Sequence, residues 1–139
     1  MPSWTSPVDR AAGYTVTNTD WNNMVGLNGD VAYLYGDTGW TNVVTFTNSW
    51  VNFGGTNFSA GYRLIGTQVW LRGNIKSGTI NTAAFTLPSG YRPAHDMNFA
   101  CTSNAAFGNC SISSAGVVTP AVGSNVYFAL DGIRFDTLA

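Results

Sequence analysis

From Trp40 to the C-terminus the chain is written in short runs of Thr, Val, Ile, Phe, Tyr and Trp, each cut off by Gly, Asn, Ser or Pro. β-branched and aromatic residues suit a pleated, half-buried surface, and the punctuating residues suit turns. Such a pattern predicts many short antiparallel strands, hence a sandwich, jelly roll or barrel. Candidate strands lie near 43–47, 50–53, 60–65, 67–75, 78–86, 96–102, 108–113, 116–120, 125–130 and 132–136. The clearest alternation puts Val69, Leu71, Gly73 and Ile75 on one face and Gln68, Trp70, Arg72 and Asn74 on the other. Successive side chains point to opposite faces, so this segment reads as one half-buried strand. Lys76-Ser77-Gly78 reads as a tight turn, and Asp131-Gly132 as a favoured hairpin pair. No internal repeat of fixed period is present.

The N-terminal part reads differently. Residues 1–16, with Trp4, Pro2, Pro7 and Gly13, read as an extended arm. Thr17 then suits an N-cap, with Asp20 three residues on at the positive end of a helix dipole. The expected helix, 17–36, carries Trp21, Met24, Leu27, Val31 and Leu34. From Met24 these step by three, four and three, a short heptad seam. Gly26 and Gly29 each cost such a helix about 1 kcal/mol against Ala. A helix this short is marginal alone, so its seam needs burial, either on its own domain or by self-association. Residues 37–139 are the expected β domain.

Composition narrows the function. Charged residues are 9% of the chain, against about 25% in ordinary globular proteins. With 14% aromatics and 45% hydrophobics there is material for one core, which argues against intrinsic disorder. A formal net charge of -1 without a Lys/Arg cluster argues against nucleic acid as a partner. No run approaches the ~18 apolar residues of a membrane span. Met1–Arg10 lacks a basic start followed by an apolar stretch, so no signal peptide is expected.

Catalytic and cofactor chemistry finds little purchase. His95 is the only imidazole and no Ser sits in a Gly-x-Ser-x-Gly elbow, so a nucleophile has no evident base. One His and two Cys fall short of the usual tetrahedral metal set. Of seven Asp, only Asp96 and Asp136 lack an obvious structural duty, thin material for a glycosidase pair. No phosphate-binding glycine loop is present. We therefore expect no catalytic, cofactor or metal residues, and no enzyme. Cys101 and Cys110, nine apart, are either a cross-strand disulfide or two buried thiols. Among Trp40, Trp50, Tyr62 and Trp70, Trp70 is the best surface or interface aromatic, being out of phase with Val69 and Leu71.

Three segments carry a resemblance in their order: YRLIGTQVWLRGNIKSGTI from Tyr62, AAFTLPSGYRPAHDMNFACT from Ala83, and VYFALDGIRF from Val126. Together they resemble the C-terminal head domain of tailed-phage virion proteins. Trp4, Pro7, Gly13, Thr17 and Asn22 resemble the start of phage minor structural proteins. The resemblance implies a jelly-roll-like β-sandwich head forming a homotrimer, with the short helix as its stem. It implies a non-enzymatic protein of the virion surface, assembled in the host cytoplasm. Its expected role is a receptor-binding head of a tail fibre or tail tip, gripping host cell-surface saccharide. A trimeric capsid decoration protein is the alternative, and a small saccharide-binding lectin a remoter one. The arm 1–16 would dock on other virion proteins, tail or major capsid. The stretch Leu87-Pro88-Ser89-Gly90 is expected to be a turn with Pro88 at its first central position.

Overall fold

The computed structural model describes residues 36–137, and these form eleven strands with no helix among them. The expected arm and the stem candidates Trp21, Met24, Leu27, Val31 and Leu34 lie outside the described residues. One sheet has four strands in the order β1 (Thr41–Asn42), β3 (Gly61–Ile65), β4 (Gln68–Arg72) and β11 (Arg134–Asp136). The other has seven: β2 (Val51–Asn52), β5 (Asn74–Lys76), β10 (Phe128–Ala129), β7 (Met97–Ser103), β8 (Ala106–Ile112), β9 (Val117–Val122) and β6 (Phe85–Thr86). Every pairing is antiparallel.

The core lies between the sheets. Val69, Leu71 and Phe135 face it from the first sheet, and Ile75, Phe85, Cys110, Ile112, Val118 and Phe128 from the second. Trp50, in the loop before β2, is only 1% exposed and is a core residue. It packs edge-on to Phe128 at 6.3 Å. Its indole lies so close over Gly78 that a Cβ there would sit 2.0 Å from the ring.

The segment expected as one strand, 67–75, is two strands in two sheets. The break falls at Gly73, whose φ is +95°. A Cβ there would sit 2.5 Å from the Ser59 carbonyl, so only glycine fits. Past this corner the alternation no longer holds. Asn74, expected to face outward, is buried, and its Nδ2 donates to Asn57 Oδ1 at 2.8 Å. Asp131-Gly132 is likewise no hairpin, because β10 pairs with β5 while β11 pairs with β4. The dipeptide carries the chain from one sheet to the other beside Gly73.

Two further expectations change. Segment 43–47 is extended but forms no ladder, tied instead by single bonds such as Val43 N–H to Ala60 C=O at 2.8 Å. Within 78–86 only Phe85–Thr86 is a strand. In the Pro88 turn, Tyr91 N–H donates to Pro88 C=O at 3.1 Å and Gly90 has φ +90°. Pro88 is therefore the first residue of the turn rather than its first central one.

Candidate functional site: an arginine–aromatic row

The outer face of the four-stranded sheet carries an ordered set of rings and guanidinium groups. Register creates it. Arg63 on β3 lies opposite Trp70 on β4, and Trp70 lies opposite Arg134 on β11. Thr41 pairs with Tyr62, which brings the preceding Trp40 beside Arg63. Their neighbours Val69, Leu71 and Phe135 point into the core, so alternation turns all four outward.

The guanidinium carbon of Arg63 sits 4.6 Å from the Trp40 ring centre and 5.4 Å from that of Trp70. Arg134 covers Trp70 at 5.2 Å. Arg72, two residues beyond Trp70 on the same face, lies 4.5 Å from Trp40 and 4.6 Å from Phe58. The order is thus Phe58, Arg72, Trp40, Arg63, Trp70, Arg134. Each cation–π contact of this kind contributes roughly 0.5–2 kcal/mol, more where water is excluded. Arg63 also pairs with Asp37 at 3.1 Å. That pair is partly solvated and contributes about 1 kcal/mol or less.

Stacking holds the guanidinium planes. The Nε atoms of Arg63 and Arg72 and the Trp70 Nε1 are buried and have no hydrogen-bond partner. The stacked guanidinium groups are therefore fixed in place, with Phe58 64% exposed at one end of the row. Such a surface suits hydroxyl-rich or anionic groups, since arginine forks bind oxygens in fixed geometry and little side-chain freedom remains to be lost. Trp70 is half-buried at the centre of the row. Trp40 is half-buried beneath two arginines, and Tyr62 packs inward of the row against Tyr91 at 4.9 Å. Sequence reasoning singled out Trp70 by its alternation. The alternation also put Arg72 on the face of Trp70, but sequence reasoning missed Arg63 and Arg134, which join Trp70 only through pairing across strands, and Phe58, which reaches the row from a loop.

The second sheet has an open groove of about 510 Å³ bordered by Ala100, Cys101, Thr102, Tyr127, Ala129 and Asp131. It forms where β10, held to β7 through Phe128 and Ser103, leaves for the other sheet. Cys101 and Cys110 are free thiols on neighbouring strands. In register, Cys110 faces Phe99 and Cys101 faces Gly108, so the two sulfurs meet on a diagonal. Their hydrogen bond lowers the Cys101 pKa against the opposing effect of burial. The same bond, with burial, raises the Cys110 pKa well above the ordinary thiol value.

The acidic residues left without a duty in the sequence have one. Asp96 Oδ1 accepts from Ser114 N–H at 2.7 Å, and Asp136 Oδ1 accepts from Thr67 Oγ1 at 3.1 Å. His95 is exposed on the loop before β7. Among the described residues no group of three or more His, Cys, Asp or Glu is gathered to hold a metal.

The fold is similar to that of the receptor binding protein (gp15) of Listeria phage PSA. Superposition gives a TM-score of 0.62 at 17% identity, over 78% of this chain and 70% of that one. The likeness to phage virion heads read from the sequence is therefore present in the fold. No protein-family model matches the sequence, and no curated protein matches it.

Proposed function

We propose that this chain is a non-enzymatic surface protein of a tailed-phage virion, the host-adhesion head of a tail fibre or tail tip. The observation that carries this reading is the fold shared with a phage receptor-binding protein. The arginine–aromatic row supplies a contact surface for host cell-surface saccharide: the exposed Phe58 ring for sugar C–H faces, and guanidinium N–H donors, as on exposed Arg134, for hydroxyl or acidic oxygens. In this reading three jelly-roll-type heads associate. Residues 17–36 form the stem through Trp21, Met24, Leu27, Val31 and Leu34, and the arm 1–16 docks on a neighbouring virion protein.

Immunogold labelling of intact virions tests the placement. Gold at the tail end is expected. Gold over the capsid would replace the adhesin by a decoration protein. Binding of the purified protein to host cells tests the role, and loss of binding in Arg134→Ala, at an exposed position, is expected.

A further inference from the structure

Two thiols on adjacent strands take no part in the arginine–aromatic row. Cys101 on β7 and Cys110 on β8 are both free. In the ladder Cys101 pairs with Gly108 and Cys110 with Phe99, so the cysteines are diagonal neighbours. Residues two apart on a strand share a face, and both thiols belong to the core side of the sheet. Directly across from Cys101 stands a glycine. No side chain fills that place, so the Cys101 thiol leans along β8 to the Cys110 thiol, with which it shares a hydrogen bond.

The two sulfurs differ in access. Cys110 is buried, whereas Cys101 is partly exposed and borders the open groove of about 510 Å³. The groove opens because β10 pairs with β7 only through Phe128 and Ser103 before leaving for the other sheet. A small solute therefore meets Cys101 first. The hydrogen bond from Cys110 favours the Cys101 thiolate, and the thiolate is the form that reacts.

We propose that Cys101 and Cys110 form a reversible oxidation site, in which a peroxide entering the groove is reduced at Cys101 and Cys110 then closes a disulfide between β7 and β8. In the first step the Cys101 sulfur attacks one peroxide oxygen. The O–O bond breaks, the other oxygen leaves as water once protonated, and Cys101 becomes a sulfenic acid. In the second step the Cys110 sulfur attacks the Cys101 sulfur. The S–O bond breaks as the Cys110 proton passes to the departing hydroxyl, and a second water leaves. The two thiols have lost two electrons and two protons, and the peroxide has become two waters.

Diagonal neighbours in a flat antiparallel pair have Cα atoms about 7–8 Å apart, and a disulfide holds them within about 7 Å. Closing the bond therefore draws the strands together. The sheet can give at this point, because the β8–β9 register shifts between Asn109 and Cys110, and such an irregularity adds local twist. A disulfide closed under strain is readily reduced, which makes this site a switch rather than a permanent staple.

The test uses the full chain, reduced, freed of reductant and treated with hydrogen peroxide. The intact mass is expected to fall by two hydrogens, with no free thiol left and no cross-linked dimer on a non-reducing gel. Dithiothreitol should restore both thiols. A product that gains oxygen at Cys101 and keeps the Cys110 thiol overturns the proposal, as does a bond between chains or a reaction that waits for urea. Variants fix the order of events. Cys110→Ser is expected to stop at the sulfenic acid, which dimedone traps on Cys101. Cys101→Ser is expected to leave Cys110 unoxidised at the same peroxide dose, and its full oxidation there would overturn Cys101 as the point of entry. The mass change of the unmodified chain decides the bond itself even if a variant fails to fold.

Discussion

The Gly73 amide donates to the Asp131 carboxylate at 2.7 Å, and this bond ties together two of the four places where the described chain passes from one sheet to the other. The neighbouring Leu130 N–H donates back to Gly73 C=O at 2.8 Å. The corners are thus clamped in both directions. A hydrogen bond to a carboxylate contributes about 1.5–3 kcal/mol when formed away from water. Asp131→Ala should therefore lower stability by about 2 kcal/mol in urea unfolding. Gly73→Ala should cost more, on the order of 3 kcal/mol, because it adds a backbone clash to a left-handed φ.

The arginine–aromatic row predicts coupling between its members. Arg63→Met and Trp70→Leu should each destabilise by about 1–2 kcal/mol. A double-mutant cycle should return a coupling of about 0.5–1 kcal/mol between them. A coupling of zero would mean that the guanidinium and the ring are neighbours without attraction. The same two variants should weaken attachment to host cells if the row is the adhesive surface.

The thiol pair predicts a stability loss in alkali. The Cys110 pKa is raised in the folded protein, first by its bond to Cys101 and then by burial. Unfolding lets that thiol ionise at its ordinary value of 9.0, so the unfolded state holds fewer protons above that pH. The contribution of Cys110 is fully present below the ordinary value and is lost as pH rises toward the folded one. Cys101 acts in the opposite sense, since its lowered pKa favours the folded thiolate. The urea midpoint should fall between pH 8 and pH 10 by more in the wild type than in Cys110→Ala. Iodoacetamide should modify Cys101 first, since it is partly exposed and Cys110 is buried.

The proposed stem predicts a separable defect. Leu27→Asp places a charge in the seam of Met24, Leu27, Val31 and Leu34. It should dissociate the trimer while leaving the β-type spectrum unchanged. A variant that stays trimeric would remove the seam from the assembly.

The sequence by itself determined the class of fold. Alternation at Val69, Trp70 and Leu71 reports burial one residue at a time, and the frequent Gly, Asn, Ser and Pro report where strands end. Both signals are local, so they survive without knowledge of neighbours. Tertiary structure decided where that local pattern was interrupted. Gly73 reads as one more position in an alternating strand, and only the Ser59 carbonyl beside it and the Asp131 carboxylate ahead of it make it a corner. Asp131-Gly132 reads as a hairpin turn until its flanking strands find partners in different sheets. Trp50 reads as a candidate flat face until Gly78 and Phe128 close over it. The duties of Asp96 and Asp136 lie with Ser114 and Thr67, both distant in the chain. The row from Phe58 to Arg134 is assembled from three strands and two residues outside them, Trp40 and Phe58, and only the Trp70–Arg72 step within β4 is written in a single strand's spacing. Side-chain period is a property of a single strand, whereas strand order and register are set by which long-range pairing buries the most apolar surface.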